Sequence, residues 1–234
     1  MRVADSTKRF QLESEMVGSA RSWLSRLGLM VKEEFYTPWG TCDLVGVSFD
    51  KNRVRQRLHL GQREPMGPIT RIALLNRIPD TRTGTYTTLR RLERQFQVVF
   101  TRSEILQQID RLIEAKFVRE RKPGCFEKLN GWAPLHKRIV TLELKLNRIS
   151  EAISQAASHL RFATDSYVGL PTATARGLLD RRQLQQFLGL GIGIVAVGRR
   201  TCAALLPARS QTRHNNIHQI HCVERFWRDW IKDN

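Results

Sequence analysis

The apolar positions divide the chain into three segments of different pattern. Over Glu13 to Leu27, the residues Met16, Ala20, Trp23, Leu24 and Leu27 recur at helical spacing, and Gly28 then stops the helix. Leu29 to Tyr36 and Thr41 to Phe49 read as two strands joined at Pro38-Trp39-Gly40, so the first fifty residues predict a helix followed by a hairpin.

Between about residues 66 and 135 the pattern becomes helical with basic exposed positions. Ile69 to Ile78 predicts a short helix ended by Pro79, and Thr87 to Phe96 a second. A third starts at Thr101-Arg102-Ser103 with Glu104 in its first turn and runs to Ala115, turning Ile105, Ile109, Leu112 and Ile113 inward. Phe117 to Arg121, Pro123-Gly124 and Phe126 to Leu129 then read as a small hairpin. Three helices followed by a basic hairpin is the order of a winged helix.

From residue 137 onward strands and helices alternate. Ile139 to Leu146 is a strand, Ser150 to Phe162 a helix, Tyr167 to Leu170 a strand and Ala173 to Leu188 a helix. Ile192 to Val197 and Cys202 to Leu206 are further strands, 207–220 a mobile loop, and Val223 to Trp230 a terminal helix. Strand–helix–strand with a long connection implies parallel pairing through a right-handed crossover. The expected fold class is therefore α/β, a central mixed sheet flanked by helices. The expected division is a core from 1–51 and 137–234, interrupted by a mainly helical insertion over 52–136.

Composition adds a partner class. The 234 residues are 41% hydrophobic and 26% charged, which suits a folded chain, and the formal net charge is +17. Residues 51–140 hold 20 Lys and Arg against 8 Asp and Glu, a net +12 concentrated in the insertion. Such an excess points to a polyanion, most simply nucleic acid. No run of eighteen apolar residues occurs, no signal-like segment opens the chain, and the expected location is the cytoplasm with no membrane partner. Cys42, Cys125, Cys202 and Cys222 are far apart and read as free thiols. His214, His218 and His221 read as a solvent- or phosphate-facing loop rather than a zinc site.

The candidate chemistry sits in Val140-Thr141-Leu142-Glu143-Leu144-Lys145-Leu146. Alternation along a strand puts Glu143 and Lys145 on one face and the leucines on the other. Asp43 lies among Leu44, Val45 and Val47, costly company for a carboxylate unless a cation meets it. A divalent metal held by Asp43 and Glu143 would compensate, and Mg²⁺, which takes few carboxylates and keeps waters, is the natural choice.

Gly40-Thr41-Cys42-Asp43 followed by Glu143-Leu144-Lys145, then Gln155 in the next helix and Tyr167-Val168-Gly169-Leu170-Pro171, resembles the PD-(D/E)XK nuclease superfamily. The likeness covers roughly residues 10–50 and 137–206, and the leading Pro of the motif is absent beside Asp43. It implies the restriction-endonuclease-like fold and hydrolysis of a phosphodiester. Asp43, Glu143 and the Leu144 carbonyl would bind Mg²⁺, for which Mn²⁺ could substitute, and Lys145 would orient or deprotonate the attacking water. Gln155 would position that water or Lys145, and Glu15, in the first helix, would act through a metal-bound water.

The insertion then looks like a DNA-targeting winged helix. Arg102, Ser103, Gln107, Gln108 and Arg111 are its groove-facing candidates, and Arg119, Arg121, Lys122 and Lys128 those of the wing. The expected activity is a Mg²⁺-dependent DNA endonuclease serving restriction, repair, transposition or defence, with double-stranded DNA as partner and a homodimer where both strands are cut. A DNA-binding scaffold with a silent nuclease fold, and an RNA-processing nuclease, are the alternatives.

Overall fold

The computed structural model describes residues 9–129, 134–180, 182–211 and 217–234. In chain order they form α1 (Ser14–Arg26), β1 (Met30–Thr37), β2 (Gly40–Phe49), α2 (Lys51–His59), α3 (Ile69–Arg77), β3 (Thr87–Thr88), α4 (Leu89–Phe96) and α5 (Arg102–Glu114). There follow β4 (Val118–Lys122), β5 (Cys125–Lys128), β6 (His136–Leu144), α6 (Ile149–His159), β7 (Asp165–Pro171), α7 (Thr172–Leu178), α8 (Leu184–Leu190), β8 (Gly193–Val197), β9 (Cys202–Leu206) and α9 (Ile217–Asp233). The chain divides into two units, Met1–Ser48 with Lys137–His214 and Phe49–His136 with Asn215–Asn234. Among the described residues no helix is long and apolar enough to cross a membrane.

The first unit is built on a six-stranded mixed sheet in the order β1-β2-β6-β7-β8-β9. The β1–β2 hairpin is antiparallel, β6, β7 and β8 run parallel, and β9 returns antiparallel to β8. The parallel centre needs both faces covered, since crossover helices leave no face for water. On one face Met16, Ala20 and Leu24 of α1 pack against Leu142, Leu144, Val195 and Val197. On the other, Ala152, Ile153 and Ala156 of α6 pack against Val168, Leu170, Ile194 and Ala196. The alternation expected in the Glu143 strand holds, because Leu142 and Leu144 both enter the α1 side. Gly193 is required where the sheet meets the Tyr167 ring: a Cβ there would overlap that ring and stand 2.8 Å from the Ala208 amide nitrogen. The single helix expected over Ala173 to Leu188 is instead two, α7 and α8.

The second unit combines α2 to α5, the three-stranded sheet β3-β5-β4 and α9. Its core gathers Leu74 and Leu75 of α3, Leu92 of α4, Ile105, Ile109 and Leu112 of α5, and Phe117. α5 starts where its sequence says it should. The Thr101 side chain accepts the Glu104 amide, and the Glu104 carboxylate accepts the Thr101 amide at 2.7 Å, a reciprocal capping box.

The terminal segment departs from expectation. The sequence placed 137–234 in the core, yet α9 packs on α3 in the second unit, with Ile220 in its apolar cluster. The cause is ionic as well as apolar. Glu224 of α9 pairs with Arg57 of α2 at 2.5 and 2.8 Å, and both side chains are buried. The Arg57 guanidinium also lies 4.9 Å from the Phe117 ring and 4.8 Å from the Trp227 ring. The end of the expected 207–220 loop is likewise reassigned, since the residues from Ile217 onward are helical, and residues 212–216, including His214, lie outside the described residues.

Candidate functional site

The site begins with a local fault in the β1–β2 ladder. Glu33 pairs with Leu44 and Phe35 with Cys42, but Glu34 between them adopts φ 45, a left-handed conformation uncommon for any residue but glycine. Opposite this kink Asp43 reaches out of its own strand, and its Oδ2 accepts the Leu144 amide at 2.7 Å. That bond brings the Asp43 carboxylate beside Glu143. Burial raises the Asp43 pKa, and the Leu144 amide and Lys145 offset part of that rise.

Glu143 is 1% exposed and Lys145 6%. Lys145 Nζ donates to Glu143 Oε1 at 3.0 Å, while Glu143 Oε2 is buried with no hydrogen-bond partner. Burial, with the Asp43 charge second, pushes the Glu143 carboxyl up to about 7, against the pull of its bond to Lys145. For Lys145 burial opposes the charge, yet the Glu143 bond and the surrounding carboxylates outweigh it, so its pKa rises.

Two further acids complete the ring. Glu13 Oε2 lies 3.8 Å and Glu151 Oε1 3.9 Å from Lys145 Nζ, and Arg148 reaches both. Asp43, Glu143, Glu13 and Glu151 thus face two cations, Lys145 and Arg148. Carboxyl groups outnumber cations here, and Glu143 is the most deeply buried of them. A hard divalent cation fits such an excess: carboxylates at Asp43 and Glu143 are its preferred donors. The described bond at Leu144 is its amide to Asp43, so its carbonyl remains an expectation.

Gln155 and His159 belong to the same wall. Glu151, Gln155 and His159 follow at intervals of four and so line one stripe of α6. Gln155 Oε1 is buried without a hydrogen-bond partner. His159 is 2% exposed, and burial, reinforced by Lys145, pushes its pKa down to about 4, leaving a neutral imidazole. Ligand atoms of Cys42, Glu143 and His159 lie within 4.8 Å of one another.

The structure brings Asp43, Glu143, Lys145 and the Gln155 stripe together, but not Glu15. Glu15 accepts the Gln11 amide at 2.7 Å and lies 3.6 Å from Arg199, whereas Glu13, not singled out in the sequence, accepts the Leu146 amide at 3.2 Å and meets Lys145. Helical phase separates them. Glu13 continues the 13/16/20/24 stripe that faces the core, while Glu15 lies about 200° further round at roughly 100° per residue. The stripe spacing was therefore the signal that could have chosen Glu13. Past Lys145, a cleft of about 800 Å³ is lined by Leu146 and Asn147 with Phe10, Arg9, Arg176 and Arg199.

The nucleic-acid candidates of the second unit divide. On α5, Arg102, Ser103, Gln107 and Arg111 are exposed, with Arg102 3.0 Å from Glu93 and Arg111 3.1 Å from Glu114. Gln108 is half-buried and accepts from Arg71 at 2.9 Å. On β4, Arg119 pairs with Glu127, Arg121 donates to the Gly84 carbonyl, and Lys122 lies 5.0 Å from the Tyr86 ring. Lys128 is a correction: it is 9% exposed, and burial lowers its pKa despite nearby Asp80, so it supports the sheet instead of reaching a phosphate.

No family model and no curated protein matches this chain. Among solved structures it is similar to "SPO1766 protein of unknown function from Silicibacter pomeroyi", at 9% identity and a TM-score of 0.43 over 97% of both chains.

Proposed function

We propose that this chain is a metal-dependent DNA endonuclease of the PD-(D/E)XK type, a restriction-endonuclease-like core carrying an inserted winged helix. The observation that carries the reading is the convergence of Asp43, Glu143 and Lys145, in which one oxygen of the buried Glu143 carboxylate has no hydrogen-bond partner. A structural ion pair has no need of that oxygen, since an orphaned buried acceptor costs about 1–3 kcal/mol.

Asp43 and Glu143 are the residues that would hold Mg²⁺, which when bound supplies a polarised phosphate and a more acidic water. Glu143 would exchange its proton for that role near neutral pH. Lys145, held by Glu143 and flanked by Glu13 and Glu151, keeps its ammonium aimed at the same point, where it would stabilise charge gathering on the phosphate. Gln155 offers an unpartnered amide oxygen to orient water, and Glu13, rather than the Glu15 expected from the sequence, is the α1 acid beside Lys145. The cleft with Arg9, Arg176 and Arg199 has the charge to receive the flanking backbone.

For the second unit, α3, α4, α5 and the β4–β5 hairpin follow winged-helix order, and α5 exposes Arg102, Ser103, Gln107 and Arg111. Duplex DNA is the substrate this favours, with bases met from α5 and phosphates from Arg119, Arg121 and Lys122.

Supercoiled plasmid incubated with Mg²⁺ or Mn²⁺ tests the reading. Nicking or linearisation by the wild type that disappears in Asp43→Ala and Lys145→Ala is expected. Tight duplex binding without cleavage in either metal would replace it with the scaffold reading.

A further inference from the structure

Cys42 of β2, Glu143 of β6 and His159 in the last turn of α6 form a second constellation, on donors that magnesium would not choose. The three side chains are 0%, 1% and 2% exposed, and their ligand atoms lie within 4.8 Å of one another. Glu143 Oε2 and His159 Nδ1 are both buried without a hydrogen-bond partner. Buried polar atoms are paired in the great majority of cases, so two unpaired atoms on residues of one buried cluster mark a point where a partner belongs.

We propose that Cys42, Glu143 and His159 bind a borderline, thiophilic divalent cation, Zn²⁺ in preference to Mg²⁺. A thiolate, an imidazole and a carboxylate are zinc donors, and three protein ligands leave a fourth position for water. Magnesium wants oxygen throughout and gains nothing from sulfur or nitrogen. Without an ion the Cys42 thiol contacts the Leu44 carbonyl at 3.2 Å. On binding, the thiol releases its proton to solvent. Thiolate and carboxylate then cancel the two charges of the ion, which makes the complex neutral where burial is deepest.

Sharing Glu143 has a consequence that rests on the nuclease reading. A carboxylate drawn towards Cys42 and His159 is withdrawn from Asp43, so zinc and magnesium compete for one residue. Zinc is thereby an inhibitor of magnesium-dependent cleavage rather than a substitute for magnesium.

Metal-stripped full-length protein titrated with Co²⁺, a spectroscopic stand-in for zinc, tests the site without DNA. The expected result is a thiolate-to-cobalt charge-transfer band that saturates at one equivalent, is displaced by Zn²⁺ and withstands excess Mg²⁺. Cys42→Ser abolishes the band and His159→Gln weakens binding, while Cys222→Ser, which removes the thiol one turn from His218, leaves it unchanged. Absence of the band in the wild type, its persistence in Cys42→Ser or its loss in Cys222→Ser overturns the proposal. Should Cys42→Ser misfold, the zinc absorption edge of the wild-type complex decides. One sulfur among nitrogen and oxygen neighbours supports the site, and a shell lacking sulfur, or holding several, refutes it. A cobalt band in a protein that never nicks DNA leaves the zinc site standing and sinks the nuclease reading. Metal-dependent nicking without the band does the reverse.

Discussion

Glu143→Gln separates the cost of the site from its use. Glu143 is 1% exposed, and its carboxyl titrates at about 7 in the fold against an ordinary value of 4.5. A tenfold change in proton affinity is worth about 1.4 kcal/mol, so an ionised Glu143 weakens the fold by about 3 kcal/mol above pH 7. Its folded pKa lies above its unfolded one. Proton binding therefore stabilises the native state fully below pH 4.5, and that contribution is lost as pH rises through about 7. Glutamine keeps the acceptor for Lys145 and mimics the protonated acid, so the change at low pH is small.

The measurement is urea unfolding of both proteins, free of divalent ions, between about pH 4.5 and 8.5. The variant should gain on the wild type by about 3 kcal/mol across that range, most steeply between pH 5 and 7. A constant offset, or a variant that loses ground as pH rises, would refute the reasoning. Either result would mean that the Lys145 bond at 3.0 Å outweighs burial and Asp43 together. Added Mg²⁺ at high pH should raise the stability of the wild type and leave the variant nearly unchanged, because only the native carboxylate pair can return the desolvation cost as binding.

Three other outcomes follow from particular contacts. Glu13→Gln should slow cleavage roughly tenfold or more in a plasmid-nicking assay, while Glu15→Gln leaves it within about twofold, since Glu13 alone of the two lies beside Lys145. Arg57→Met should cost the second unit about 3–5 kcal/mol in equilibrium unfolding, because it strands the buried Glu224 carboxylate, and Arg57→Met combined with Glu224→Leu should recover much of the loss. In duplex-binding titrations against salt, Arg121→Ala or Lys122→Ala should each reduce the log–log slope by about 0.9, whereas Lys128→Ala leaves it unchanged, its side chain being buried.

Local signals were legible wherever a short-range contact decides the structure. The 16/20/23/24 stripe of α1, the Thr101–Glu104 capping box and the division of Leu142 and Leu144 from Glu143 and Lys145 all follow from periodicity or from neighbours within one turn. Contacts that cross the chain were not legible. Nothing near Glu224 says that Arg57, 167 residues away, will claim it, and that ion pair helps decide which unit α9 joins. The break between α7 and α8 escaped although Asp180-Arg181-Arg182-Gln183 interrupts the apolar pattern there, because a polar stretch of that length also fits the solvent face of one continuous helix.

The candidate site was half legible for the same physical cause. Glu143 and Lys145 share a strand, so alternation places them together. Asp43 joins them through the Leu144 amide, 101 residues away, at a kink that depends on a non-glycine residue at φ 45. Cys42 and His159 gave even less warning, because a lone thiol and a lone imidazole on an apolar face usually signify packing. What distinguishes the cluster is that Glu143 Oε2 and His159 Nδ1 are buried without a hydrogen-bond partner. A packed core would satisfy the Glu143 and His159 atoms or exclude them, yet this fold buries both, and Asp43 reaches Glu143 opposite a strained residue of the β1–β2 ladder. On the proposed reading a cation supplies the missing interactions, and the metal titrations decide between that and a core that merely tolerates them.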